Sequence, residues 1–239
     1  MPSKNNIPSI LRRWVKPMAF LLAYCFIHHV TGGSNPKNSI ISSESNAIDK
    51  QILPDQFNET LLETAIVHHT NMERAQYHLK ALTVSGTLQK AARGHSKEMA
   101  ALHYFSHRSP VYLNQNLTDR LKNAGFYLSN ITVGENIGVD YFLRIANVPF
   151  HTTTHEGTTQ YIDGNTGQPI TNQTYREFAR RMVENWMKSP AHRKNILNPQ
   201  YENIGCGTVA GIYQGMKAIY ATQNFSGSLL SSFSIFEDQ

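Results

Sequence analysis

Three short segments of this 239-residue chain each set a chemically useful polar side chain among aromatic or apolar residues. Two segments carry a histidine, His107 and His192, and the third carries an acidic residue, Glu135. Imidazole and carboxylate groups bind Zn²⁺ and similar ions, and they also carry protons in acid–base catalysis. The residue types therefore point to metal binding or proton transfer, provided that the fold brings the three segments together.

Other kinds of chemistry find no support in the sequence. There is no Gly-x-Ser-x-Gly, P-loop or Gly-x-Gly-x-x-Gly pattern, so serine hydrolase and nucleotide-binding functions are not indicated. The formal net charge of +5 comes mainly from four basic residues before position 20. Without those four, 18 basic residues face 17 acidic ones, which excludes a broad basic face for nucleic acid.

The N-terminus has the pattern of a targeting segment. Basic residues precede an apolar run of about ten residues, Met18–Ile27, which suits a signal sequence and is too short to span a bilayer. We therefore predict a signal peptide or N-terminal anchor over residues 1–33 and an exported protein, secreted, periplasmic or on the cell surface. Loss of this leader would leave Cys206 without an intramolecular partner, because Cys25 is the other cysteine.

The rest of the chain divides by its periodicity. Residues 34–57 are polar and aperiodic and predict a linker, whereas 58–228 predict one domain, followed by a C-terminal tail at 229–239. Residues 138–172 lose helical periodicity and predict an extended loop insertion with two short strands around Asp163-Gly164. The remaining pattern is four helices followed by two strands. Two helices are predicted to start at Asn58 and Ser85, and two are predicted over Asn116–Gly125 and Thr174–Lys188. The strands are predicted at Ile204–Ile212 and Lys217–Phe225.

This order of elements indicates an α+β domain in which helices cover a small, mostly antiparallel sheet. Several short motifs, in this order and spacing, resemble the CAP superfamily of cysteine-rich secretory, antigen 5 and pathogenesis-related proteins, in its bacterial, cysteine-poor form. The resemblance runs from about residue 62 to 226. Its motifs are Asn71-Met-Glu-Arg74-Ala, Leu88…Ala91-Ala92…His95, Arg120-Leu…Ala124-Gly125, Asn203-Ile-Gly-Cys-Gly and Tyr220-Ala-Thr-Gln-Asn-Phe225.

The resemblance implies a three-layer α-β-α sandwich with a central groove lined by two histidines and two glutamates. Carried over position by position, the histidines are His107 and His192 and the first glutamate is Glu135. Ser189 stands where the second glutamate is expected, three residues after Trp186. Ser189, Asn136 and Gln223 complete the predicted ligand-binding groove. The alternative interpretation of Gln223 is that it pairs across the sheet.

Three interpretations of the His–Glu set stay open at this stage. The two imidazoles, His107 and His192, could hold Zn²⁺ with open positions for an activated water. Without a metal, Glu135 could fix the tautomer of one histidine so that the pair binds a ligand. The third interpretation is a polar cluster that braces three loops and does no chemistry.

Other polar residues are weaker candidates. His151 and His155 lie four residues apart in a Thr-rich segment that we interpret as a solvated loop overhanging the groove. His95 and Cys206 are interpreted as packing residues, and Trp186 as a core residue whose indole N–H donates to a carbonyl.

These observations favour an exported domain whose groove binds a small molecule, a lipid, a cell-envelope component or a protein partner. The alternative is a metal-assisted, peptidase-like hydrolase in which His107, Glu135 and His192 are catalytic, although the missing second carboxylate counts against it. A purely structural or adhesive surface module is the third possibility. Nucleic acid is not an expected partner, and a membrane is expected to be contacted only through the leader or anchor.

Overall fold

The computed structural model describes residues 47–145, 147–155 and 157–228. The predicted leader, the first part of the linker and the C-terminal tail lie outside the described residues. The helices are α1 (Glu59–Gln76), α2 (Gly86–Ala101), α3 (Leu117–Asn123), α4 (Tyr175–Lys188) and α5 (Pro190–Ile196). The strands are β1 (Thr83–Val84), β2 (Ile131–Tyr141), β3 (Phe150–His155), β4 (Thr158–Asp163), β5 (Asn203–Tyr213) and β6 (Met216–Ser228).

The helices begin where the sequence supplies capping side chains. The Asn58 side chain accepts a hydrogen bond from the Leu61 amide at the start of α1, and Ser85 caps α2 in the same way. Thr174 and Glu177 form a capping box at the start of α4. The predicted helix starts at Asn58, Ser85 and Thr174 are confirmed.

The central sheet has four strands in the order β1-β5-β6-β2. Strand β1 is parallel to β5, and the other two pairings are antiparallel. The two tail strands predicted at 204–212 and 217–225 are the long hairpin β5–β6, which is one to three residues longer at each end. Because β2 pairs with β6 on one side, its other side forms an outer edge of this sheet.

Alternation along β6 divides the protein into three layers. Ile219, Ala221 and Phe225 pack into the main core with apolar residues of α1 and α4. Tyr220 packs on the opposite face, against Met99 of α2. Because successive strand side chains point to opposite faces, helices cover both sides of the sheet. The fold is the predicted α+β, three-layer α-β-α sandwich.

Helix α2 lies directly against the backbone of β5. A Cβ atom built on Gly205 would stand 2.1 Å from the Gln89 nitrogen, and one on Gly207 would stand 2.1 Å from the Arg93 nitrogen. Only glycine leaves room for this approach, and the fully buried Ala92 on the facing side of α2 keeps the helix surface small.

Two predicted boundaries need correction. Ile52, inside the predicted linker, is fully buried in the main core, and its amide donates to the Gln173 carbonyl at 2.8 Å. The last part of segment 34–57 therefore belongs to the domain, and its Ile48 and Phe57 pack against the same core.

The segment predicted as a loop insertion, 138–172, is also more ordered than expected. Residues 138–141 belong to β2, and His151 lies in strand β3 of a two-stranded hairpin, β3–β4, rather than in a loop. The Asp163-Gly164 turn follows β4, and beyond it the chain pairs with β4 through an isolated bridge between Ile162 and Pro169 and through backbone hydrogen bonds. Threonine-rich strands that expose both faces lack the apolar alternation that would have revealed them.

Within the described part of the chain, no helix is both long and apolar enough to span a membrane.

Candidate functional site

Glu135 is the centre of a buried polar cluster on β2. Its side chain is 4% exposed, and it projects from the face of the sheet that α2 covers. Arg120 Nη2 on α3 donates to Oε2 at 2.7 Å, and His95 Nδ1 on α2 lies 3.1 Å from the same oxygen. His107 Nδ1 lies 2.9 Å from Oε1. One carboxylate thus joins two helices and the loop that carries His107.

These contacts keep the carboxylate ionised. Burial alone would raise the pKa of Glu135, but hydrogen bonds from His107 and His95, together with the positive charge of Arg120, lower it to about 2. An ionised carboxylate only accepts hydrogen bonds, so both imidazoles present Nδ1–H to it. In the neutral ring, Nε2 of His107 is then a hydrogen-bond acceptor, and the side chain that carries it is 53% exposed.

Arg120 and His95 are functional-site residues that the sequence analysis missed. Arg120 also donates from Nη1 to the Asn114 carbonyl at 2.9 Å, which ties α3 to the preceding loop. His95 is fully buried, and its Nε2 has no hydrogen-bond partner among the described residues. A histidine and an arginine on the inward faces of two short helical patterns were signals that could have predicted partners for Glu135.

A second carboxylate holds the loop between α2 and α3. Glu98 accepts hydrogen bonds from Tyr104 Oη at 2.5 Å, from Ser109 Oγ and from Asn114 Nδ2 at 2.8 Å. Burial would raise the pKa of Glu98, but these three donors lower it. His107 lies between two of the anchored residues, so Glu98 fixes the backbone on both sides of it.

His192 approaches the cluster from the opposite layer. It lies on α5, and Asn136 Nδ2 donates to its carbonyl at 3.2 Å. Asn195, also on α5, donates to the Glu135 carbonyl at 3.0 Å and to Asn136 Oδ1 at 2.9 Å. The buried guanidinium of Arg74 donates to the Ile196 carbonyl at the end of α5, at 2.7 Å. The helix is therefore fixed at both the strand and its own C-terminus.

The two histidines meet across the edge of β2. Their ring centroids are 6.2 Å apart, and the planes are inclined by 49°. Burial, followed by the nearby charge of His107, lowers the pKa of His192, so this imidazole is neutral at pH 7. The structure thus brings together His107, Glu135 and His192.

Beside the histidines lies a groove with a cavity volume of about 270 Å³. Its floor is the outer edge of β2, where the Ile137 carbonyl accepts a 2.8 Å hydrogen bond from the Trp186 indole N–H. Trp186 is a core residue with a carbonyl partner, as predicted. The lining residues are Phe105, Ile137, Gly138, Val139, Met182, Asn185, Trp186, Ser189 and His192.

Four of the six predicted groove residues do not line this cavity: His107 and Glu135 belong to the polar cluster beside it, and Asn136 and Gln223 lie deeper in the protein. Asn136 and Gln223 are fully buried and lie opposite each other in adjacent strands. Asn136 donates to Gln223 Oε1 at 3.3 Å, and Gln223 Nε2 donates to Thr70 Oγ1 at 2.8 Å. Glu135 and Asn136 are neighbours in one strand, so their side chains must point to opposite faces of the sheet. Asn136 and Gln223 support His192 from beneath.

The predicted insertion does not overhang the groove either, since the residues that line the groove include none from 142–172. Cys206 is a buried packing residue, as predicted, at 1% exposure.

A family model described as the cysteine-rich secretory protein family, CAP, matches residues 67–225 of the chain. The chain belongs to the CAP family. The matched range includes all the residues of the Glu135 cluster and of the groove.

Several bacterial proteins are similar to this CAP domain. YkwD of Bacillus subtilis is 33% identical over 147 residues, which are 62% of this chain and 42% of that protein. The membrane protein YlbC of the same organism is 28% identical over 167 residues, covering 70% of this chain and 35% of YlbC. The chain thus spans less than half the length of the curated relatives that it matches.

Solved structures are similar as well. An extracellular protein containing an SCP domain from Bacillus anthracis is 28% identical, with a TM-score of 0.45 over 70% of this chain and 40% of that one. A cysteine-rich secretory protein from Staphylococcus aureus is 16% identical, with a TM-score of 0.42 over 72% of this chain and 40% of that one.

The donor set of this CAP domain does not fit a zinc centre with three protein ligands. Both oxygens of Glu135 accept hydrogen bonds from Arg120, His95 and His107. The imidazoles of His107 and His192 are therefore the two groups of the set that could still coordinate a metal. Within residues 47–145, 147–155 and 157–228, no group of three or more His, Cys, Asp or Glu side chains is placed to hold a metal ion. Zinc sites normally use three or four protein ligands, so we derive no chemistry from a metal here.

Proposed function

We propose that this CAP domain is a non-enzymatic, exported binding module whose groove takes a small amphipathic ligand. The ligand's uncharged polar head would bind at His107 and His192, and its apolar part would lie along Ile137, Val139 and Trp186. The observation that carries the proposal is the saturated carboxylate of Glu135, which orients His107 and leaves its Nε2 for a ligand.

The chemistry of the two imidazoles selects the head group. Neutral His192 and the Nδ1–H tautomer of His107 offer nitrogen acceptors and one N–H donor, which suit a hydroxyl or an amide. A carboxylate head would gain little from Arg120, because this guanidinium is 3% exposed and already paired with Glu135. We therefore expect a neutral head group to bind better than an anionic one near pH 8.

The size of the groove limits the rest of the ligand. A volume of about 270 Å³ lies at the lower end of ligand sites. The side chains of Ile137, Val139 and Met182 are apolar, and Trp186 presents an aromatic ring. An alkyl chain, or one segment of a longer envelope molecule, matches this lining.

Two features argue against the hydrolase interpretation. With a pKa of about 2 and three hydrogen-bond donors around it, Glu135 is not poised to carry a proton near neutral pH. In the described part of the chain, no imidazole nitrogen forms a hydrogen bond with a serine, threonine or cysteine side chain, so no activated side-chain nucleophile is present. His107 has the orientation of a base, but no side-chain nucleophile lies within hydrogen-bonding distance of it.

Trp186 provides a direct assay, because the chain has one other tryptophan, Trp14, in the predicted leader. In the full chain carrying Trp14→Phe, titration with 1-decanol is expected to change the Trp186 fluorescence saturably. Since one neutral hydrogen bond contributes about 0.5–1.5 kcal/mol, His107→Ala and His192→Ala should each weaken binding by about 2- to 10-fold. Sodium decanoate should bind more weakly than the alcohol.

His151→Ala is the matched control, since His151 is exposed on β3 and outside the groove. It should bind decanol like the parent. A titration without saturation, or equal affinities for all three variants, would contradict the proposal. Turnover of a p-nitrophenyl ester that disappears in His107→Ala would favour the hydrolase instead.

Export is the second part of the proposal and depends on the leader. A fusion of residues 1–33 to a reporter enzyme should place the reporter outside the cytoplasm of a bacterial host. A reporter that stays in the cytoplasm would refute it.

A further inference from the structure

The hairpin β3–β4 forms a sheet of its own. Among the described residues, its two strands pair with each other, in a register that places Thr153 opposite Gln160, and β4 also pairs with Pro169 through an isolated bridge. Residues 151–154 and 158–160 are exposed. The ribbon is thus a protruding element that the groove does not use.

The hydrogen bonds around β4 show which backbone groups point away from the hairpin. The Tyr161 carbonyl accepts from the Ile170 amide at 2.7 Å, and the Asp163 amide donates to the Gln168 carbonyl at 2.9 Å. Tyr161 and Asp163 therefore direct their backbone groups outward, toward the segment that follows β4.

In an antiparallel pair, residues that face outward on one strand lie opposite residues that face outward on the other. Thr152 is opposite Tyr161, and Thr154 is opposite Thr159. The period of two along a strand then gives Thr152 and Thr154 outward N–H and C=O groups on the free side of β3. No backbone hydrogen bond joins this side of β3 to another element within the described ranges.

Natural proteins usually protect such an edge with charged side chains, prolines or a covering element. Strand β3, Phe-His-Thr-Thr-Thr-His, contains no Lys, Arg, Asp, Glu or Pro. Threonine also has a high preference for strands, so this edge is well suited to accept another strand.

The sequence of the edge is self-complementary. His151-Thr-Thr-Thr-His155 reads the same in both directions about Thr153. An antiparallel second copy centred on Thr153 would place Thr152 opposite Thr154 of the partner subunit. Both residues face outward, so the two symmetric pairs would form four N–H···O=C hydrogen bonds, with threonine side chains adjacent across the strands.

We propose that the outer edge of β3 pairs with β3 of a second copy of this chain, to form a two-fold symmetric dimer with a continuous four-stranded sheet. The interface is isologous, since the same edge is used by both copies. Two short strands bury less surface than a stable dimer needs, so the association is weak and depends on concentration.

Sedimentation equilibrium of the full chain tests the proposal. Between about 5 µM and about 500 µM, the average mass should rise from the monomer toward the dimer. Thr152→Pro removes an outward amide without breaking the β3–β4 ladder, and it should abolish the rise. Thr159→Pro is the matched control, because it removes an outward amide from the β4 side of the same hairpin and should leave the dimer intact.

Site-directed cross-linking tests the register. In a Cys25→Ser background, Thr153→Cys should form a disulfide-linked dimer on oxidation, since the two copies of this residue face each other at the symmetry axis. Thr159→Cys should not cross-link. A chain that stays monomeric over the whole range, a dimer that survives Thr152→Pro, or stronger cross-linking at position 159 would each overturn the proposal.

Discussion

Replacement of Glu135 by glutamine is expected to destabilise the domain in a way that depends on pH. The folded-state pKa of Glu135 is about 2, against an ordinary value of 4.5. At about 1.4 kcal/mol for each pKa unit, the ionised carboxylate contributes about 3 kcal/mol to the free energy of unfolding. Breaking a buried ion pair from one side costs a similar amount, about 3–5 kcal/mol, because Arg120 stays buried without its partner.

The sign of the pH dependence follows from the direction of the pKa shift. Because the folded pKa lies below the unfolded one, the contribution of Glu135 is fully present above about pH 4.5 and is lost as the pH falls through about 2. Urea unfolding of the wild type and Glu135→Gln should therefore differ by about 3 kcal/mol at pH 7. The difference should shrink steadily between about pH 5 and pH 2.

Glu184→Gln provides the matched control. Glu184 pairs with Arg180 one turn away on α4, where both side chains are substantially exposed. The same carboxylate-to-amide change there should cost no more than about 0.5 kcal/mol. A difference between wild type and Glu135→Gln that stays constant from pH 7 to pH 2 would refute the assignment of the low pKa to Glu135.

Two further predictions concern the packing of β5. Gly207→Ala should lower the free energy of unfolding by about 1–3 kcal/mol or more in urea, because its Cβ would meet the backbone of α2. Gly94→Ala, whose Cβ would meet no atom within 4 Å, should raise the free energy of unfolding by up to about 1 kcal/mol. Equal effects of the two substitutions would contradict this packing. In a Cys25→Ser background, Cys206 should not react with a thiol reagent until urea unfolds the chain, because burial, aided by the charge of Glu63, raises the pKa of its thiol. Rapid labelling of the native protein would show that the strand opens easily.

The sequence allowed much of the fold to be predicted. Helix starts at Asn58, Ser85 and Thr174 were visible because capping side chains act within one turn of the chain. The hairpin β5–β6 was visible because its residues alternate and a Gly-containing turn joins them. Such signals are local, so they can be recognised in a single sequence.

The candidate site was predictable only in part, since its geometry depends on contacts between distant residues. His107, Glu135 and His192 were identified by resemblance, whereas Arg120 and His95 complete the cluster from helices 15 and 40 residues away from Glu135 in sequence. The inward position of each residue in its helix indicates burial but does not identify Glu135 as its partner.

One error was avoidable by physical reasoning. Glu135 and Asn136 are adjacent in a strand and cannot both point into the same face of a groove. Residues 151–154 were predicted as a loop because a strand that is exposed on both faces has no apolar pattern to detect.

The glycines of β5 also bear on how the proposed binding groove could adjust to a ligand. With α2 in direct contact with the strand backbone, the helix that carries His95 cannot shift relative to β5 without disrupting this packing. The segment that contains Phe105 and His107 is instead held by side-chain hydrogen bonds to Glu98, and Phe105 lines the groove. Under the proposed function, adjustment to ligands of different size would therefore involve this segment rather than α2.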